Sequence, residues 1–264
     1  MHEAKKRFGQ NFLTDKNLLQ KIVRDSFIID DVIEVGPGLG ALTNYIVKAS
    51  KKVVAYEIDG SLKDVLDVLE NQNKNLTVVY GDFLNVDLAE EKKKRKLSNS
   101  TCLIGNLPYY ITSPILFKFI ETNYIKSATI MVQKEVGERI LAKENSKQYN
   151  ALSVIIQFQS SVKRIVNVDK TMFTPVPKVD SVVLSITKND KFDETFKARL
   201  IRFVKLAFEQ KRKTLVNNLS DGYKIPKDKV IDFLKKANLD ERVRAEQISV
   251  DKFIEIVKEF KLDK

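Results

Sequence analysis

One cysteine, one histidine and no apolar run of membrane-spanning length are the first features of this 264-residue chain, and each shortage removes a class of chemistry. Cys102 has no second cysteine to bond, so an internal disulfide is excluded. With only His2 beside it, the chain cannot assemble a zinc site of cysteines and histidines, and no metal is expected. His2 lies at the terminus, which argues against a Ser-His-Asp triad, a Cys-His pair or a histidine general base. Without a long apolar run there is no candidate membrane span. The opening MHEAKKRFGQ carries charge with no apolar core after it, so a secretory signal is not expected and the location expected is cytoplasmic. Acidic residues are also in deficit. Asp and Glu number 35 against 46 Lys and Arg, a net charge of +11. That balance fits a polyanionic partner such as nucleic acid, and a lysine-rich composition accounts for it equally well.

What is present suffices for a sizeable core, with 43% hydrophobic residues in one large domain or a medium one with an appendage. Residues 15–27 carry apolar positions at helical spacing behind Asp15, a candidate N-cap. Short β-rich runs follow at 31–35, 52–58, 76–80, 101–106 and 128–133, with helical stretches at 41–49, 60–71 and 113–121 between them. Strand–helix alternation with nearly unbroken apolar strands predicts a parallel α/β sheet covered on both faces. Runs 162–168 and 179–186 have no long helix between them and are expected to pair at a sheet edge. Beyond about residue 190 the segments 194–210, 212–219, 226–237 and 249–260 are all helix-like. Two domains are therefore expected, 1–189 and a small all-helical 190–264. The run KKKRK at 92–96 is expected to be a solvated loop or helix end rather than a phosphate contact.

Glu34-Val35-Gly36-Pro37-Gly38-Leu39-Gly40 closes the first strand of the alternation and opens a helix. Glycines there let the chain turn sharply and let a ligand lie against the backbone. Their spacing is G-x-G-x-G, not the dinucleotide form G-x-G-x-x-G, and a glycine turn can simply join strand to helix. Its context adds weight. Glu57 ends the second strand, where an acidic side chain can take both ribose hydroxyls of a nucleoside. Asp82 follows the third strand, where it or its backbone can meet an adenine amine, and Asn106 ends the fourth. This set resembles the class I S-adenosylmethionine methyltransferases over roughly residues 30–135. The resemblance implies a Rossmann-like, mostly parallel seven-stranded sheet, S-adenosylmethionine as cofactor, and Gly36, Gly38, Glu57, Asp82 and Asn106 at the cofactor. A nicotinamide dehydrogenase is disfavoured by the glycine spacing and the lack of an internal histidine.

Asn106-Leu107-Pro108-Tyr109 carries the candidate chemistry. An exocyclic adenine amine is a poor nucleophile because its lone pair is delocalised into the ring. Accepting hydrogen bonds from its two N–H groups favours the tetrahedral nitrogen that attack requires. The Asn106 side-chain oxygen offers one acceptor and the carbonyl of Leu107 or Pro108 another. Pro108 fixes its own φ and pushes Leu107 towards extended backbone, so the carbonyls are held. Tyr109 offers a ring for the base to stack on. A sulfonium methyl is already activated, so transfer needs positioning rather than a strong base. A polar strand end with a proline turn and a packed tyrosine is the plainer alternative. The tetrapeptide resembles the [ND]-P-P-[YFW] signature of amino methyltransferases, in its N-[LI]-P-Y form.

That form is similar to the rRNA adenine N6,N6-dimethyltransferases, KsgA-type and Erm-type, and further segments extend the resemblance over nearly the whole chain. Lys6-Arg7-Phe8-Gly9-Gln10-Asn11-Phe12-Leu13 matches the family's opening motif, which implies that Asn11 and Leu13 contact the cofactor. Val132 to Val136, Phe173 to Ser181, Glu209 to Thr214 and Arg244 to Ser249 also match. In Phe173-Thr174-Pro175-Val176-Pro177-Lys178 the prolines stiffen a loop, and Phe173 is expected to form the second face of a base sandwich with Tyr109, the alternative being a core position. Lys211, Arg212 and Lys213 suit RNA phosphate or a solvated helix end nearly equally. Tyr110 departs from the Asn usual in KsgA-type proteins, which bears on substrate selection more than on reaction type. Leu107 and Arg244-Ala245-Glu246-Gln247-Ile248-Ser249 favour the KsgA type. The resemblance thus implies dimethylation of two adjacent adenosines in the 3′-terminal hairpin loop of small-subunit rRNA, by a monomer acting on a pre-ribosomal particle. The alternatives are an Erm-type enzyme acting on one large-subunit rRNA adenosine, and a non-catalytic RNA-binding assembly factor.

Overall fold

The structure, a computed structural model, describes residues 5, 9–108 and 111–260. A two-residue strand, β1 (Phe12–Leu13), precedes α1 (Lys16–Arg24). Asp15 starts that helix by accepting the Leu18 N–H at 2.7 Å. Leu18, Leu19, Ile22 and Val23 then recur at helical spacing and form its buried stripe. The alternation follows in order as β2 (Asp31–Val35), α2 (Thr43–Ala49), β3 (Lys52–Glu57), α3 (Lys63–Gln72), β4 (Leu76–Tyr80) and α4 (Leu88–Arg95). It continues with β5 (Thr101–Asn106), α5 (Thr112–Glu121), β6 (Ile125–Gln133), α6 (Lys134–Leu141), α7 (Ala151–Gln159) and β7 (Ser160–Val168). The two-residue β8 (Phe173–Thr174) and then β9 (Ser181–Lys188) complete the strands, and α8 (Glu194–Ala207), α9 (Leu215–Tyr223), α10 (Lys227–Lys236) and α11 (Val250–Glu259) close the chain.

Seven strands form one sheet in the order β4-β3-β2-β5-β6-β9-β7. From β4 to β6 every pairing is parallel, and β9 runs antiparallel to β6. Every residue of β2 is buried, as are the first five of β5, which is what helices on both faces of a parallel sheet require. Val32, Val53, Val78, Cys102 and Ile104 pack against Ile46, Leu62, Leu66 and Leu69 of the helical layer. Leu13, Leu18, Leu19, Ile22, Met131, Phe173 and Val183 form a second cluster, and β1 pairs antiparallel with β8 inside it. The five expected parallel strands are all present, and β7 and β9 are neighbours at the sheet edge as their sequence predicts. The run at 92–96 is the end of α4, capped by Lys96 in the left-handed conformation.

By contacts the chain divides into two compact units, 1–137 with 162–188, and 138–161 with 189–264. Residues 138–161 therefore pack with the C-terminal helices, and a single boundary near Asn189-Asp190 does not describe the division. The segment was hard to foresee because α7, Ala-Leu-Ser-Val-Ile-Ile-Gln-Phe-Gln, is buried nearly all round and has no polar face to reveal a helical period. Asn150 decides its conformation by accepting the N–H groups of Leu152 and Ser153 in a capping box. Within this second unit Tyr149 donates its hydroxyl hydrogen to the Ile248 carbonyl at 2.9 Å. Phe203, Tyr223 and Phe233 surround Phe260 at centroid distances of 4.9–5.1 Å. Thr214 and Ser249 cap α9 and α11 through their hydroxyls.

One close approach sets the middle of the sheet. Gly105 pairs with Val35, and a Cβ on Gly105 would lie 2.6 Å from the Val35 carbonyl oxygen. Gly105→Ala should therefore force β2 and β5 apart and lower the unfolding free energy by roughly 1–3 kcal/mol. Urea unfolding checks this: the midpoint drops at an unchanged m-value, and a midpoint equal to wild type refutes the steric reading.

Candidate active site

β2 and β5 are adjacent in the sheet although β3 and β4 intervene in the chain, so the winding direction reverses between them. Loops leaving the carboxyl ends of two such strands diverge and leave a crevice. The glycine turn follows β2. Gly36, Gly38 and Gly40 hold φ of 72°, 58° and 77°, the left-handed region that a side chain disfavours. The Gly36 N–H donates to the Tyr56 carbonyl at 2.9 Å, which seats the turn against β3. At Gly38 a Cβ would also come within 3.0 Å of the Phe12 ring, so the turn is packed from the N-terminal side as well.

Glu57 closes β3 and is 4% exposed. One carboxylate oxygen accepts the Gly38 N–H at 3.0 Å and the other accepts the Asp59 N–H at 2.8 Å. Burial raises its pKa above the ordinary carboxylate range, and those two hydrogen bonds oppose the shift. Asp82, after β4, caps a short 3-10 turn by accepting the Leu84 N–H at 2.9 Å. Lys118 of α5 holds the same turn from beyond, donating to the carbonyls of Leu84 and Val86 at 2.8 and 2.5 Å.

Asn106 ends β5. Its amide nitrogen donates to the Asn11 carbonyl at 3.1 Å, which fixes the amide plane and leaves Oδ1 as the acceptor face. The Leu107 N–H donates to the Met131 carbonyl at 3.0 Å. The Pro108 carbonyl already accepts the Ile111 N–H at 3.2 Å and the Thr112 hydroxyl at 3.1 Å. Of the two carbonyls named from sequence, Pro108 is thus engaged in starting α5.

Asn11, Leu13, Gly36, Gly38, Glu57, Asp82, Asn106 and Pro108 all line one cavity at the carboxyl ends of the strands. Leu107 is 1% exposed and does not line it. The base-stacking role expected of Phe173 is corrected here. Its side chain is 3% exposed and sits in the core with Leu13, Leu18 and Met131, because pairing of β1 with β8 turns it inward. Tyr109 and Tyr110 lie outside the described residues, as do Lys6, Arg7 and Phe8.

Sequence reasoning missed several lining residues. Gln10 and Phe12 come with the same segment as Asn11, while Leu39 and Ile58 present apolar side chains 37% and 44% exposed at the cavity wall. Large apolar groups left open beside the glycine turn and Glu57 were the available signal. Glu34 and Thr129 gave none. Both are buried, line the cavity, and keep one oxygen without a hydrogen-bond partner, Glu34 Oε2 and Thr129 Oγ1. An unsatisfied buried polar atom is costly. Open glycine backbone, a buried carboxylate at the second strand and apolar walls are together a donor set that fits an adenosyl cofactor with a charged amino-acid tail. Among the described residues no group of three or more His, Cys, Asp or Glu side chains is placed to hold a metal ion. Among them, too, no helix is long and apolar enough to cross a membrane.

Burial pushes the Glu34 carboxyl up to about 8 from an ordinary 4.5, with the nearby Glu57 charge adding to it. The folded protein therefore keeps a proton that the unfolded chain releases. Its stabilising contribution is complete below 4.5 and is lost as pH rises through about 8. The melting temperature of wild type minus that of Glu34→Gln should fall across this window. A difference that stays flat or rises with pH contradicts the assignment.

Comparison with known proteins agrees with this geometry. The model of the family described as ribosomal RNA adenine dimethylase matches residues 1–262. Ribosomal RNA small subunit methyltransferase A of onion yellows phytoplasma (strain OY-M) is 53% identical over 254 residues, 96% of this chain and 94% of that protein. A dimethyladenosine transferase from Plasmodium falciparum superposes with a TM-score of 0.79 at 27% identity, covering 94% of this chain and 97% of that one. The 23S rRNA methyltransferase ErmE superposes at 0.70 with 26% identity, over 94% of this chain and 100% of that one. With the glycine turn, Glu57 and the pinned amide of Asn106 meeting in one cavity of a matching fold, this chain belongs to the ribosomal RNA adenine dimethylase family.

Proposed function

We propose that this protein transfers methyl groups from S-adenosylmethionine to N6 of two adjacent adenosines in the 3′-terminal hairpin loop of small-subunit (16S) rRNA, giving N6,N6-dimethyladenosine during ribosome biogenesis. The observation that carries the reading is the Asn106 amide, held by the Asn11 carbonyl with its oxygen free to accept, in the cavity shared with the glycine turn and Glu57. The relatives at 41–53% identity bear the name small subunit methyltransferase A, which favours this substrate over the large-subunit rRNA named for ErmE.

The cofactor supplies a methyl group already activated on sulfonium. Gly36 and Gly38 would let the cofactor lie against the turn, Glu57 would accept from its ribose hydroxyls, and Asp82 or its neighbouring backbone would meet its adenine. Asn11 and Leu13, which line the same cavity, would hold its amino-acid end. For the target adenosine, Asn106 Oδ1 and the Leu107 carbonyl accept the two N6 hydrogens in the first transfer, one of them accepts the remaining hydrogen in the second, and the nitrogen is drawn towards tetrahedral geometry. Tyr109 gives the base a stacking face. Each transfer would break the methyl–sulfur bond of the sulfonium as one N–C bond forms, leaving S-adenosylhomocysteine, and the N6 proton would pass to solvent, so no histidine base is needed.

The second unit contributes the RNA contacts. Lys147, Lys211 and Arg244 border one polar hollow wholly within it, alongside Asn145, Ser146, Glu246 and Gln247. Two loops and a helix end thereby present cations where a phosphate backbone can lie. The protein acts as a monomer, in the cytoplasm, on a pre-ribosomal particle.

Labelled S-adenosylmethionine with small-subunit particles from a strain lacking this modification is the test. Label should appear in the small-subunit rRNA and map to dimethyladenosine. Label in free large-subunit rRNA instead would move the substrate to the ErmE type, and RNA binding without any transfer would indicate an assembly factor. Asn106→Ala should cut turnover by at least about a hundredfold while cofactor affinity changes far less. Turnover near wild type in that variant would remove Asn106 from its role.

A further inference from the structure

Asp59 lies two residues beyond Glu57 and is 2% exposed. A carboxylate that buried is costly unless partnered, and its partners come from far along the chain. Oδ1 accepts the Lys5 amine at 2.7 Å, and Oδ2 accepts the Gln10 side-chain amide at 2.8 Å. Gln10 in turn accepts the Lys5 backbone N–H at 2.8 Å, which closes a small ring of three residues. Burial alone would raise the Asp59 carboxyl, yet the hydrogen bonds from Lys5, Ser61 and Gln10 outweigh it and hold it well below the usual carboxylate range. Capping the 3-10 turn at 60–62 requires only the Ser61 N–H, which Oδ1 accepts at 3.1 Å. The Lys5 and Gln10 contacts are additional to that cap.

Gln10 belongs to the segment that walls the cavity, and Lys5 is tied to it through the Gln10 side-chain oxygen. Residues 9–14 line it continuously, Phe12 packs on Gly38, and Asn11 supplies the carbonyl that orients Asn106. From the same residue, the Asp59 N–H donates to Glu57. A hydrogen-bonded path thus runs from Glu57 through Asp59 and Gln10 to Asn11 and the amide of Asn106.

We infer that Asp59 is a positioning residue that fastens the N-terminal segment over the cofactor cavity through Gln10 and Lys5, and thereby sets both cofactor retention and the register of Asn106. The inference rests on the reading of this cavity as the S-adenosylmethionine site. Asp59 touches neither substrate nor reacting atoms. Its effect passes through Gln10 and Asn11.

Calorimetric titration of the full chain with S-adenosylmethionine, together with steady-state kinetics on small-subunit particles, tests it. Asp59→Asn and Gln10→Ala should each weaken cofactor binding and raise the cofactor KM by about tenfold, with kcat at saturating cofactor reduced as well. The KM for the particle should stay within about twofold, because the strap does not face bound RNA in this account. Combining the two substitutions should cost little more than the worse single one, since both release the same strap. Gln10→Ala keeps the test open should Asp59→Asn fail to fold. If both variants lower the melting temperature but keep cofactor KM and kcat within about twofold of wild type, Asp59 is merely structural and the inference is overturned. Failure of wild type itself to bind S-adenosylmethionine overturns the cofactor reading, and the strap falls with it.

Discussion

β2 and β5 run side by side with Gly105 against the Val35 carbonyl, and the site depends on that contact. Any side chain at 105 would have to occupy the space the Val35 oxygen fills. Because the strands approach so closely, the turn after β2 and the Asn106 end of β5 emerge together, and the Asn106 carbonyl lies 3.8 Å from where a Cβ of Gly36 would stand. The reversal of winding between these strands then opens the crevice that both turns border. Cofactor and acceptor groups are neighbours for a topological reason. Residues 36 and 106 need no direct sequence link to meet.

Charge in the crevice is arranged by burial more than by pairing. Glu34 and Glu57 are both nearly inaccessible, and each is pushed above the ordinary carboxylate range by that burial. Glu57 recovers part of the cost through two backbone N–H groups, whereas Glu34 keeps an oxygen without a partner. Asp59, just as hidden, is held in its charged form by an amine and an amide from the N-terminal segment. Two carboxylates that line the crevice and a third two residues beyond Glu57 thus have different protonation behaviour, set by burial and by what donates to them.

The second unit shows the same economy of local signals. Side-chain caps from Asn150, Asp193, Thr214 and Ser249 start α7, α8, α9 and α11, and an aromatic group surrounds Phe260. Three of the unit's cations, Lys147, Lys211 and Arg244, border one polar hollow apart from that aromatic group. Such an arrangement separates the packing that makes the unit stable from the surface that meets RNA in the proposed function.

Much of this was legible in the residues themselves. Unbroken apolar runs give parallel strands, glycines at alternate positions give the turn, and polar residues at successive strand ends give Glu57, Asp82 and Asn106. These are local properties, and period, propensity and turn chemistry carry them. Tertiary structure decided what depends on partners distant in sequence. Phe173 is a core residue because β8 pairs with β1, more than a hundred and fifty residues earlier in the chain. The Pro108 carbonyl is engaged because Thr112 and Ile111 turn back onto it. Residues 138–161 join the C-terminal helices because the buried surface of α7 finds its packing there. At the cavity, the sequence alone pointed to Asn106, while only the folded chain brought the Asn11 carbonyl to its amide nitrogen and the Asp59 carboxylate to the Gln10 side chain. Hydrogen bonds that span 95 and 49 residues leave no periodic trace in a sequence.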